Sequence, residues 1–403
     1  MMGRVDRRDL LEQTRSLHEH TEAEWTGTEP IVKPIPAGEF YRCETNAEMR
    51  WEVLRGQGYL VPVANFFVRN HTSTPVIDAA TWRLGVFGTG LAGQPTSVSP
   101  VTFTLDDLLR LPSRTVVTAL ECAGNGRSFF ATQQGHAAPG TPWKLGGIGV
   151  AAWTGVPLSD VLDRAGLTSE ATDVMPCGLD PGFVEDGIDY GPMRRPIPVA
   201  KALDDVILAY EMNGRPLPPD HGYPVRAIVP GWAGVASVKW VGQIEVSATP
   251  LTSYWNTRAY RLFGPPYPGG GTLITGQVVK SAFELEWGAR LPANAPFLLT
   301  GRSWSGNGPI ARTEVSTDGG RTWLPATSRE AAPLAAAPRG MAPHSADGAW
   351  QLWELPWITP APGRYELRAR ATDVTGATQP ATATPNAGGY LFDAVVGHPV
   401  TIA

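Results

Sequence analysis

The chain has few cysteines and no long apolar run. Three cysteines in 403 residues are too few for a disulfide framework, and neither CxxC nor CxxCH occurs, so attached haem is not expected. No apolar run approaches the roughly 18 residues that a membrane-spanning helix needs. The net charge of −5 leaves no basic stripe for nucleic acid. These absences predict a soluble protein that binds neither nucleic acid nor a membrane.

The first residues also lack the features of an export signal. Arg7 and Arg8 form a pair, but the residues that follow, DLLEQTRSLHEH, are polar, whereas an export signal continues with an apolar stretch. The sequence therefore predicts a cytoplasmic protein, or a periplasmic one if a leader has been removed.

Charged residues are scarce, whereas residues that favour loops are common. Charged side chains make up 18% of the chain, below the usual quarter, and the chain contains 45 glycines and 38 prolines. This composition favours strands and loops over helical bundles, and the length predicts two or three domains. The 14 tryptophans indicate large aromatic cores or an apolar interface.

Changes of pattern along the chain predict an arm and two domains. Residues 1–30 are charged and weakly periodic, which indicates an N-terminal arm. Residues 31–262 alternate apolar runs with helical stretches, as in an α+β domain. The stretch FGPPYPGGG (263–271) is the densest cluster of strand and helix breakers, so we place the domain boundary there. Residues 263–403 form the second predicted domain.

Two segments of the first domain carry helix signals. TLDDLLRL (104–111) begins with Thr104, a good N-cap, and has aspartates in the first turn. PLSDVLDRAGL (157–167) has Ser159 as its expected cap and Gly166 as its stop. Each segment predicts a short helix between strands.

The second domain has the alternation of half-buried strands. In RYELRARATD (364–373) apolar and charged residues alternate, and TEVSTDGGRTW (313–323) has the composition of a hairpin. AAPLAAAPRGMAP (331–343) indicates a loose insertion. Several short strands in about 130 residues predict a β-sandwich.

Cys122 lies in TALECAGNGRSFF (118–130), at the end of an apolar run. Its neighbours in CAGNGR are small, so a ligand could approach the backbone closely. Asn125 and Arg127 add hydrogen-bonding groups and a positive charge. A buried structural thiol is the alternative for any single cysteine, and the residues alone leave both interpretations open.

Two further clusters carry cations beside glycine or polar residues. FFVRNH (66–71) places an arginine, an amide and an imidazole after an apolar strand, which suits an anionic ligand, although an ordinary surface turn has the same composition. HGYPVRAIVPGWAGVASVKW (221–240) spreads basic residues between glycines, as in a phosphate site. It is not a Walker loop, because GxxxxGK[ST] is absent.

ECAGNGR, FFVRNH, YEMNGRPLPPDHGYPVR (210–226) and VPGWAGVASVKW together resemble motifs of the sulfite oxidase family, and the resemblance covers about residues 40–403. It implies an α+β molybdopterin-binding domain with the sulfite oxidase fold, followed by an immunoglobulin-like β-sandwich dimerisation domain. The implied cofactor is molybdenum on a single pyranopterin, without haem. This agrees with the boundary placed near residue 263.

The resemblance also implies the residues of the site. Cys122 corresponds to the thiolate that ligates molybdenum, and a soft sulfur ligand suits that metal. Arg69, Arg127, Trp143 and Tyr260 correspond to residues of the substrate pocket; without the resemblance, Tyr260 could equally be a packing aromatic between domains. The implied cofactor-binding residues, of which Arg226 and Lys239 suit the phosphate, are Phe67, Val68, Arg69, Asn70, His71, Cys122, Asp180, His221, Arg226, Ser237, Val238 and Lys239.

One position departs from the family pattern. In animal sulfite oxidases, a WNLRG-like stretch of the second domain places a further arginine in the pocket. The corresponding sequence in this chain is PNAGGYL, so Gly388 aligns with that arginine. One cation is therefore missing, unless another arginine such as Arg302 takes its place. We expect sulfite to be captured weakly, or a substrate with less negative charge to be preferred.

The implied reaction is SO3²⁻ + H2O → SO4²⁻ + 2H⁺ + 2e⁻, with a small oxyanion as substrate and an external electron acceptor, either a cytochrome or oxygen. A reductase of nitrate or of a sulfoxide is the alternative on the same fold. A non-enzymatic binding protein would leave the four motifs unexplained.

The resemblance further implies a homodimer formed by the second domain. An apolar face to which Trp323, Trp350, Trp353 and Trp357 contribute is expected to pair the two chains. Cys43 and Cys177 match no ligand of the family, so we expect them to be buried structural thiols.

Overall fold

A computed structural model describes residues 26–329 and 349–403. Most of the predicted N-terminal arm and the predicted insertion at 331–343 lie outside these residues. The end of the arm packs on the first domain, because Asn70 Nδ2 donates to Pro30 O at 2.6 Å and Thr74 N donates to Glu29 O at 3.0 Å. In the described part of the chain, no helix combines the length and the apolar character needed to cross a membrane.

The described residues contain short helices and many strands. The helices are α1 Leu105–Arg110, α2 Arg127–Gln134, α3 Leu158–Ala165, α4 Val199–Asp204 and α5 Tyr254–Thr257, with 3-10 turns at Trp51–Leu54, Val63–Asn65, Pro219–His221 and Gly234–Ala236. The strands before residue 260 are β1 Phe40–Cys43, β2 Asn46–Met49, β3 Val68–Arg69, β4 Arg83–Phe87, β5 Val101–Thr104, β6 Arg114–Glu121, β7 Ile148–Pro157, β8 Asp173–Gly178, β9 Val184–Glu185, β10 Ile188–Asp189, β11 Ile197–Pro198, β12 Ile207–Met212, β13 Arg215–Pro216, β14 Arg226–Ile228 and β15 Val241–Ser247.

The remaining strands follow residue 260. They are β16 Arg261–Gly264, β17 Tyr267–Leu273, β18 Lys280–Phe283, β19 Arg290–Leu291, β20 Pro296–Trp304, β21 Ile310–Ser316, β22 Leu324–Pro325, β23 Thr327–Arg329, β24 Trp350–Ile358, β25 Gly363–Asp373 and β26 Gly397–Ile402.

Two larger sheets organise the first domain. One has the order β11-β8-β15-β4-β5, in which only the β15–β4 pair is parallel, and the other has the order β13-β12-β7-β6, with β14 also pairing with β12. A three-stranded sheet, β1-β2-β3, lies beside them. Strands β6 and β7 are almost entirely buried, which explains why they read as continuous apolar runs. The α+β prediction is confirmed.

The two expected helices form, but one of their caps differs. Thr104 caps α1 in a capping box with Asp107, as the sequence predicts. The N-cap of α3 is Pro157, so the prediction that Ser159 caps this helix is wrong: Ser159 lies inside the first turn. Gly166 ends α3 with φ +87°, a left-handed conformation that glycine adopts without strain.

The segment FGPPYPGGG forms a hairpin rather than an irregular linker. Strands β16 and β17 pair in antiparallel fashion across it, and Gly269, Gly270 and Gly271 have positive φ. Glycine allows these strand residues to adopt a conformation that other residues resist. The boundary near residue 263 stays a prediction.

Two sheets face each other after the hairpin. Their orders are β18-β20-β24-β23 and β19-β26-β25-β21-β22, and their facing side chains form one apolar core. Phe283 and Trp353 pack edge to face in this core, with ring centroids 5.3 Å apart. The second domain is therefore the predicted β-sandwich.

The tryptophans expected at the dimer face are mostly used within the chain. Trp353 is fully buried in the sandwich, and Trp350 packs on Trp51 of the first domain at 6.1 Å. Trp323 lies against the Arg370 guanidinium at 4.2 Å. Of the four, Trp357 lines an exposed apolar groove. The prediction that Trp350 and Trp353 face a partner is wrong, because both complete the packing of their own chain.

Candidate functional site

Two cavities meet beside Cys122. Counted out to the open solvent at their entrances, the inner cavity holds about 730 Å³ of empty space and the outer one about 1450 Å³. The residues that line both are Arg69, His71, Cys122 and Tyr260. The inner cavity is additionally lined by Phe67, Asn70, Asp180, His221, Arg226, Ser237, Val238 and Lys239 of the predicted set, and the outer cavity by Arg127 and Trp143.

The loop after β6 holds Cys122 at this junction. Cys122 N donates to Gly147 O at 2.8 Å, and Asn125 N donates back to Cys122 O at 2.9 Å. Gly124 N lies 3.4 Å from Cys122 Sγ and donates to it. A Cβ on Gly124 would lie 2.8 Å from the Arg127 guanidinium, so a larger residue here would displace that side chain. The thiol is thus fixed at the strand end and lines both cavities.

A buried network fixes the same loop from the other side. Glu121 Oε1 accepts from Lys280 Nζ at 2.8 Å and from Asn125 Nδ2 at 2.9 Å, and its other oxygen accepts from Trp304 Nε1 at 3.1 Å. Both Lys280 and Trp304 belong to the second domain. The ion pair is buried at both ends. The second domain therefore holds the residue that precedes Cys122.

Arg226 places a buried positive charge in the inner cavity. Its Nη1 donates to His221 O at 3.0 Å and its Nη2 to Ser237 O at 2.9 Å, while its Nε has no partner among the described residues. Burial lowers the pKa of Arg226 to about 9. A cation that is held by neutral oxygens favours the approach of an anion.

Lys239 adds a second cation to the inner cavity. Its Nζ donates to Asp220 O at 2.8 Å and to Asn70 Oδ1, and it lies 4.0 Å from the centre of the Trp240 ring. Burial, and then the charge of Arg226, lower the pKa of Lys239 well below its usual value. An anion bound between the two cations would restore the charged form. We call Arg226, Lys239, His221 and Ser237 the cation cradle.

Neutral hydrogen-bonding groups complete the inner cavity. His221 Nε2 has no partner in the described part of the chain, and burial lowers the pKa of this imidazole well below its usual value. Asp180 accepts from Met193 N at 3.2 Å, and burial raises its pKa to about 6. These groups can hydrogen-bond a polar ring system.

Tyr260 and His71 form a pair at the junction. The Tyr260 hydroxyl and His71 Nε2 are hydrogen bonded at 3.0 Å, and the His71 ring lies 4.1 Å from that of Trp255. Burial, and then the charge of Arg69, lower the pKa of His71 well below its usual value, and burial raises the pKa of Tyr260. The pair is neutral and can hold a proton at the phenol. Tyr260 adopts φ +52°, an uncommon conformation for such a residue.

Two arginines face the outer cavity. Arg127 Nε donates to Gly388 O at 2.9 Å and Nη1 donates to Thr141 O at 2.9 Å. Arg69 Nη1 donates to Asn46 Oδ1 at 3.3 Å. Neither arginine forms an ion pair with a described residue, so both charges remain available to an anionic substrate.

The position aligned with the missing arginine is occupied. A Cβ on Gly388 would lie 2.3 Å from Cε2 of Tyr390, so the tyrosine ring fills the space that a side chain at 388 would enter. Arg302 does not fill it: this side chain is fully buried and ion-paired with Glu284 at 2.6 Å. The suggestion that Arg302 replaces the missing cation is therefore wrong.

Some expected residues lie elsewhere. Val68 lines neither cavity, because its side chain points into the hydrophobic core of the first domain. Cys43 is half-buried and lines the outer cavity, and Cys177 is half-buried at a strand, where burial raises the pKa of its thiol to about 11. The expectation that Cys43 and Cys177 are fully buried is wrong.

Sequence reasoning missed several residues of the site. Tyr390 and Trp255 line the outer cavity, and Asp220 lines the inner one. Asp220 lies in YEMNGRPLPPDHGYPVR and Trp255 lies five residues before Tyr260, so proximity in sequence to expected site residues could have indicated both. Tyr390 lies in PNAGGYL, two residues after Gly388, but its place in the cavity wall depends on how the second domain packs against the first.

Two family models match this chain. The oxidoreductase molybdopterin binding domain matches residues 71–255, and the Mo-co oxidoreductase dimerisation domain matches residues 283–396. The order of the two domains agrees with the prediction.

Curated relatives include sulfite oxidases and nitrate reductases. The mitochondrial sulfite oxidase of Mus musculus is 36% identical over 366 residues, which is 87% of this chain and 62% of the relative. The sulfite oxidase of Gallus gallus is 36% identical over 84% of this chain and 72% of its own length. A nitrate reductase [NADH] of Ulva prolifera is 32% identical over 81% of this chain and 39% of its own length.

Among solved structures, the sulfane dehydrogenase SoxCD from Paracoccus pantotrophus is similar, with a TM-score of 0.70, 25% identity and coverage of 98% of this chain and 92% of that one. The chain belongs to the sulfite oxidase family. It spans about 62% of the length of the mammalian relatives.

The residues present fit the molybdenum cofactor of this family. Cys122 offers one soft thiol at the junction of the cavities, where the metal would need it. The cation cradle offers two buried basic side chains and an imidazole nitrogen without a partner among the described residues, which suits a phosphate and a polar ring. Gly234 lines the same cavity, and a Cβ there would lie 2.9 Å from Glu121 O. The donor set therefore matches.

Proposed function

We propose that the protein oxidises a small sulfur oxyanion at the junction beside Cys122, with sulfite as the reference substrate. The observation that carries this proposal is the position of Cys122 between a cavity with buried basic residues and a cavity with two arginines that form no ion pair with a described residue. The similar sulfite oxidases and the similar sulfane dehydrogenase support oxidation at sulfur.

Cys122 would ligate the molybdenum, and the cation cradle would hold the phosphate of its pyranopterin. When bound, this group supplies oxygen-atom transfer and accepts two electrons. Arg69 and Arg127 would bind the substrate oxygens and orient the sulfur toward the junction. Tyr260 would keep its proton, since burial raises its pKa, and donate a hydrogen bond at the reacting oxygen.

The test is a metal analysis followed by steady-state assays. Protein purified from a host that makes the cofactor should contain about one molybdenum per chain, because one ligand thiol and one cradle are present. It should oxidise sulfite with two equivalents of ferricyanide as the acceptor. A molybdenum-loaded protein that leaves sulfite and other sulfur oxyanions unchanged would overturn the proposal.

Reduction of nitrate or of a sulfoxide is the second candidate. It is favoured by the similarity to nitrate reductases and by a pocket with only two free arginines among the described residues, which suits a monoanion. Assays with nitrate or dimethyl sulfoxide and a reduced viologen separate the two directions. Faster reduction than oxidation would favour this candidate.

We also propose a homodimer and an external electron acceptor, a cytochrome or oxygen. The second domain matches a dimerisation domain, and Leu298 and Ile358 expose apolar side chains beside Trp357. An obligate interface buries at least about 2,000 Å². Sedimentation at micromolar concentration should show two chains, and a monomer would contradict this.

A further inference from the structure

The loop 386–391 of the second domain is fixed against the Cys122 loop. Tyr390 N donates to Asn386 Oδ1 at 3.0 Å, and Asn386 Nδ2 donates to Tyr390 O at 2.8 Å. Leu391 N then donates to Ala123 O at 2.8 Å. These bonds hold the backbone of Tyr390 at both ends, so its ring has a defined position beside the junction.

The ring of Tyr390 is sandwiched between groups of the first domain. It stacks on Tyr260 with centroids 5.3 Å apart and planes 24° apart. The Arg127 guanidinium lies 5.1 Å from its centre, within reach of a cation–π contact. Tyr390 also lines the outer cavity together with Cys122. A neutral aromatic face therefore stands next to the two substrate arginines.

The same ring prevents a third cation from entering. A Cβ on Gly388 would lie 2.3 Å from Tyr390, and one on Gly389 would lie 2.5 Å from Ala138 Cβ. The loop backbone is thus packed too closely for a longer side chain to enter from residue 388 or 389. The outer cavity keeps the charges of Arg69 and Arg127 and has aromatic walls.

Two cations and an aromatic wall match a particular class of sulfur compound. A sulfinate, R–SO2⁻, is pyramidal at sulfur and retains the sulfur lone pair, as sulfite does. It carries one negative charge instead of two, and an organic group replaces one oxygen. Two arginines can bind its two oxygens, while an aromatic group R can pack on the tyrosine rings.

We propose that Tyr390 selects the substrate of this site, and that the site prefers arylsulfinates and related organic sulfinates to sulfite. This inference rests on the proposed oxidation of sulfur oxyanions. The reaction is RSO2⁻ + H2O → RSO3⁻ + 2H⁺ + 2e⁻. One S–O bond forms, the sulfur is oxidised by two electrons, two protons leave to water, and two one-electron acceptors such as ferricyanide are reduced.

Steady-state kinetics with benzenesulfinate and sulfite test the preference. The wild type should show a higher kcat/KM for benzenesulfinate, mainly through a lower KM. Tyr390→Ala removes the ring and should lower kcat/KM for benzenesulfinate by about 10-fold, the loss expected for one aromatic contact. Tyr390→Phe keeps the ring and should retain the preference. Tyr365→Ala, which alters a half-buried tyrosine outside both cavities, controls for a general loss of stability.

A double variant tests the reverse change. Gly388→Arg alone would collide with the ring, so it is combined with Tyr390→Gly. This variant should lower the KM for sulfite by about 10-fold or more, because a hydrogen bond from a guanidinium to a charged group returns. The change in kcat should be smaller, the pattern of added ground-state binding.

The affinities for the two reaction products, benzenesulfonate and sulfate, can be measured without turnover. By calorimetry, the wild type should bind benzenesulfonate more tightly than sulfate, and Tyr390→Ala should lose about 10-fold of the affinity for benzenesulfonate only. Tight binding and rapid oxidation of sulfite, with a selectivity that Tyr390→Ala leaves unchanged, would overturn the inference but leave the proposed function standing. A molybdenum-loaded protein that oxidises neither compound would overturn both.

Discussion

The inner and outer cavities share Cys122 but are built differently. The inner cavity is lined by residues of the first domain alone, and its cations are held by neutral oxygens. The outer cavity has aromatic walls, and residues 388 and 390 of the second domain close one side of it. A cofactor site needs the same charges in every relative with that cofactor, whereas a substrate pocket must differ with the substrate.

This difference shows what each domain contributes to function. The first domain alone provides the Cys122 thiol and the basic residues of the cation cradle. The second domain adds Tyr390 to the pocket and Lys280 behind the thiol. The sandwich is therefore part of the site as well as the region that matches a dimerisation domain.

The largest effect is expected at the residue that both cavities share. Cys122→Ser should reduce turnover about 1,000-fold or more, equivalent to about 4 kcal/mol, because a hydroxyl is a hard and weak substitute for a soft thiolate. The fold should persist. Cys177→Ser lies outside both cavities and should behave as the wild type. Full turnover by Cys122→Ser would remove the metal assignment.

The second-largest effect is expected when the Lys280–Glu121 ion pair between the domains is broken. Lys280→Met leaves Glu121 charged and buried without its cation, so unfolding free energy should fall by about 3–5 kcal/mol. Adding Glu121→Gln should recover part of this loss. Urea unfolding of the wild type and both variants measures it. A loss of unfolding free energy below about 1 kcal/mol would show that the Lys280–Glu121 ion pair contributes little to holding the two domains together.

The cation cradle of the inner cavity can be tested separately from the outer cavity. Arg226→Met should weaken retention of the cofactor by about 10- to 150-fold, because one charge-assisted hydrogen bond to an anion is lost. Cofactor-free protein should change little in stability, because removing a buried cation that has no ion pair among the described residues offsets the loss of its hydrogen bonds to His221 O and Ser237 O.

Arg302→Met is the matched control for this prediction. It removes a buried arginine outside both cavities that is paired with Glu284, so it should lower stability and leave molybdenum content per folded chain unchanged. Dialysis followed by metal analysis gives the retention. Equal loss of molybdenum from both variants would mean that Arg226 acts only through the fold.

The smallest effect is expected at Glu48, which holds the loop that follows Trp143. Glu48 accepts from Lys144 N and Gly146 N, both at 2.8 Å, and burial raises its pKa to about 7 from a usual 4.5. A raised pKa means that its contribution to stability is present below about pH 4.5 and is lost as pH rises to 7. This loss would loosen the loop that carries Trp143.

Glu48→Gln cannot titrate and should therefore escape that loss. Between pH 4.5 and 7.5, its unfolding free energy should rise relative to the wild type by about 1–3 kcal/mol, at 1.36 kcal/mol per unit of pKa difference. Urea unfolding at several pH values measures the change. Parallel pH profiles of the two proteins would contradict it.

The sequence alone determined much of this protein. Small residues around Cys122, basic residues between glycines and strand alternation after residue 263 each follow from local requirements of chain geometry and charge. These patterns indicated the α+β domain, the sandwich and the residues of the cradle. They are visible in sequence because neighbours in the chain act together.

Only the tertiary structure decided how the distant parts meet. Lys280 lies 159 residues from Glu121, and Gly388 lies 261 residues from Arg127. An apolar or aromatic residue satisfies the same pattern whether it fills a core or lines a pocket, so Trp350 and Tyr390 could not be told apart beforehand. Their roles depend on which surfaces the two domains bury against each other, and that is a property of packing rather than of local pattern.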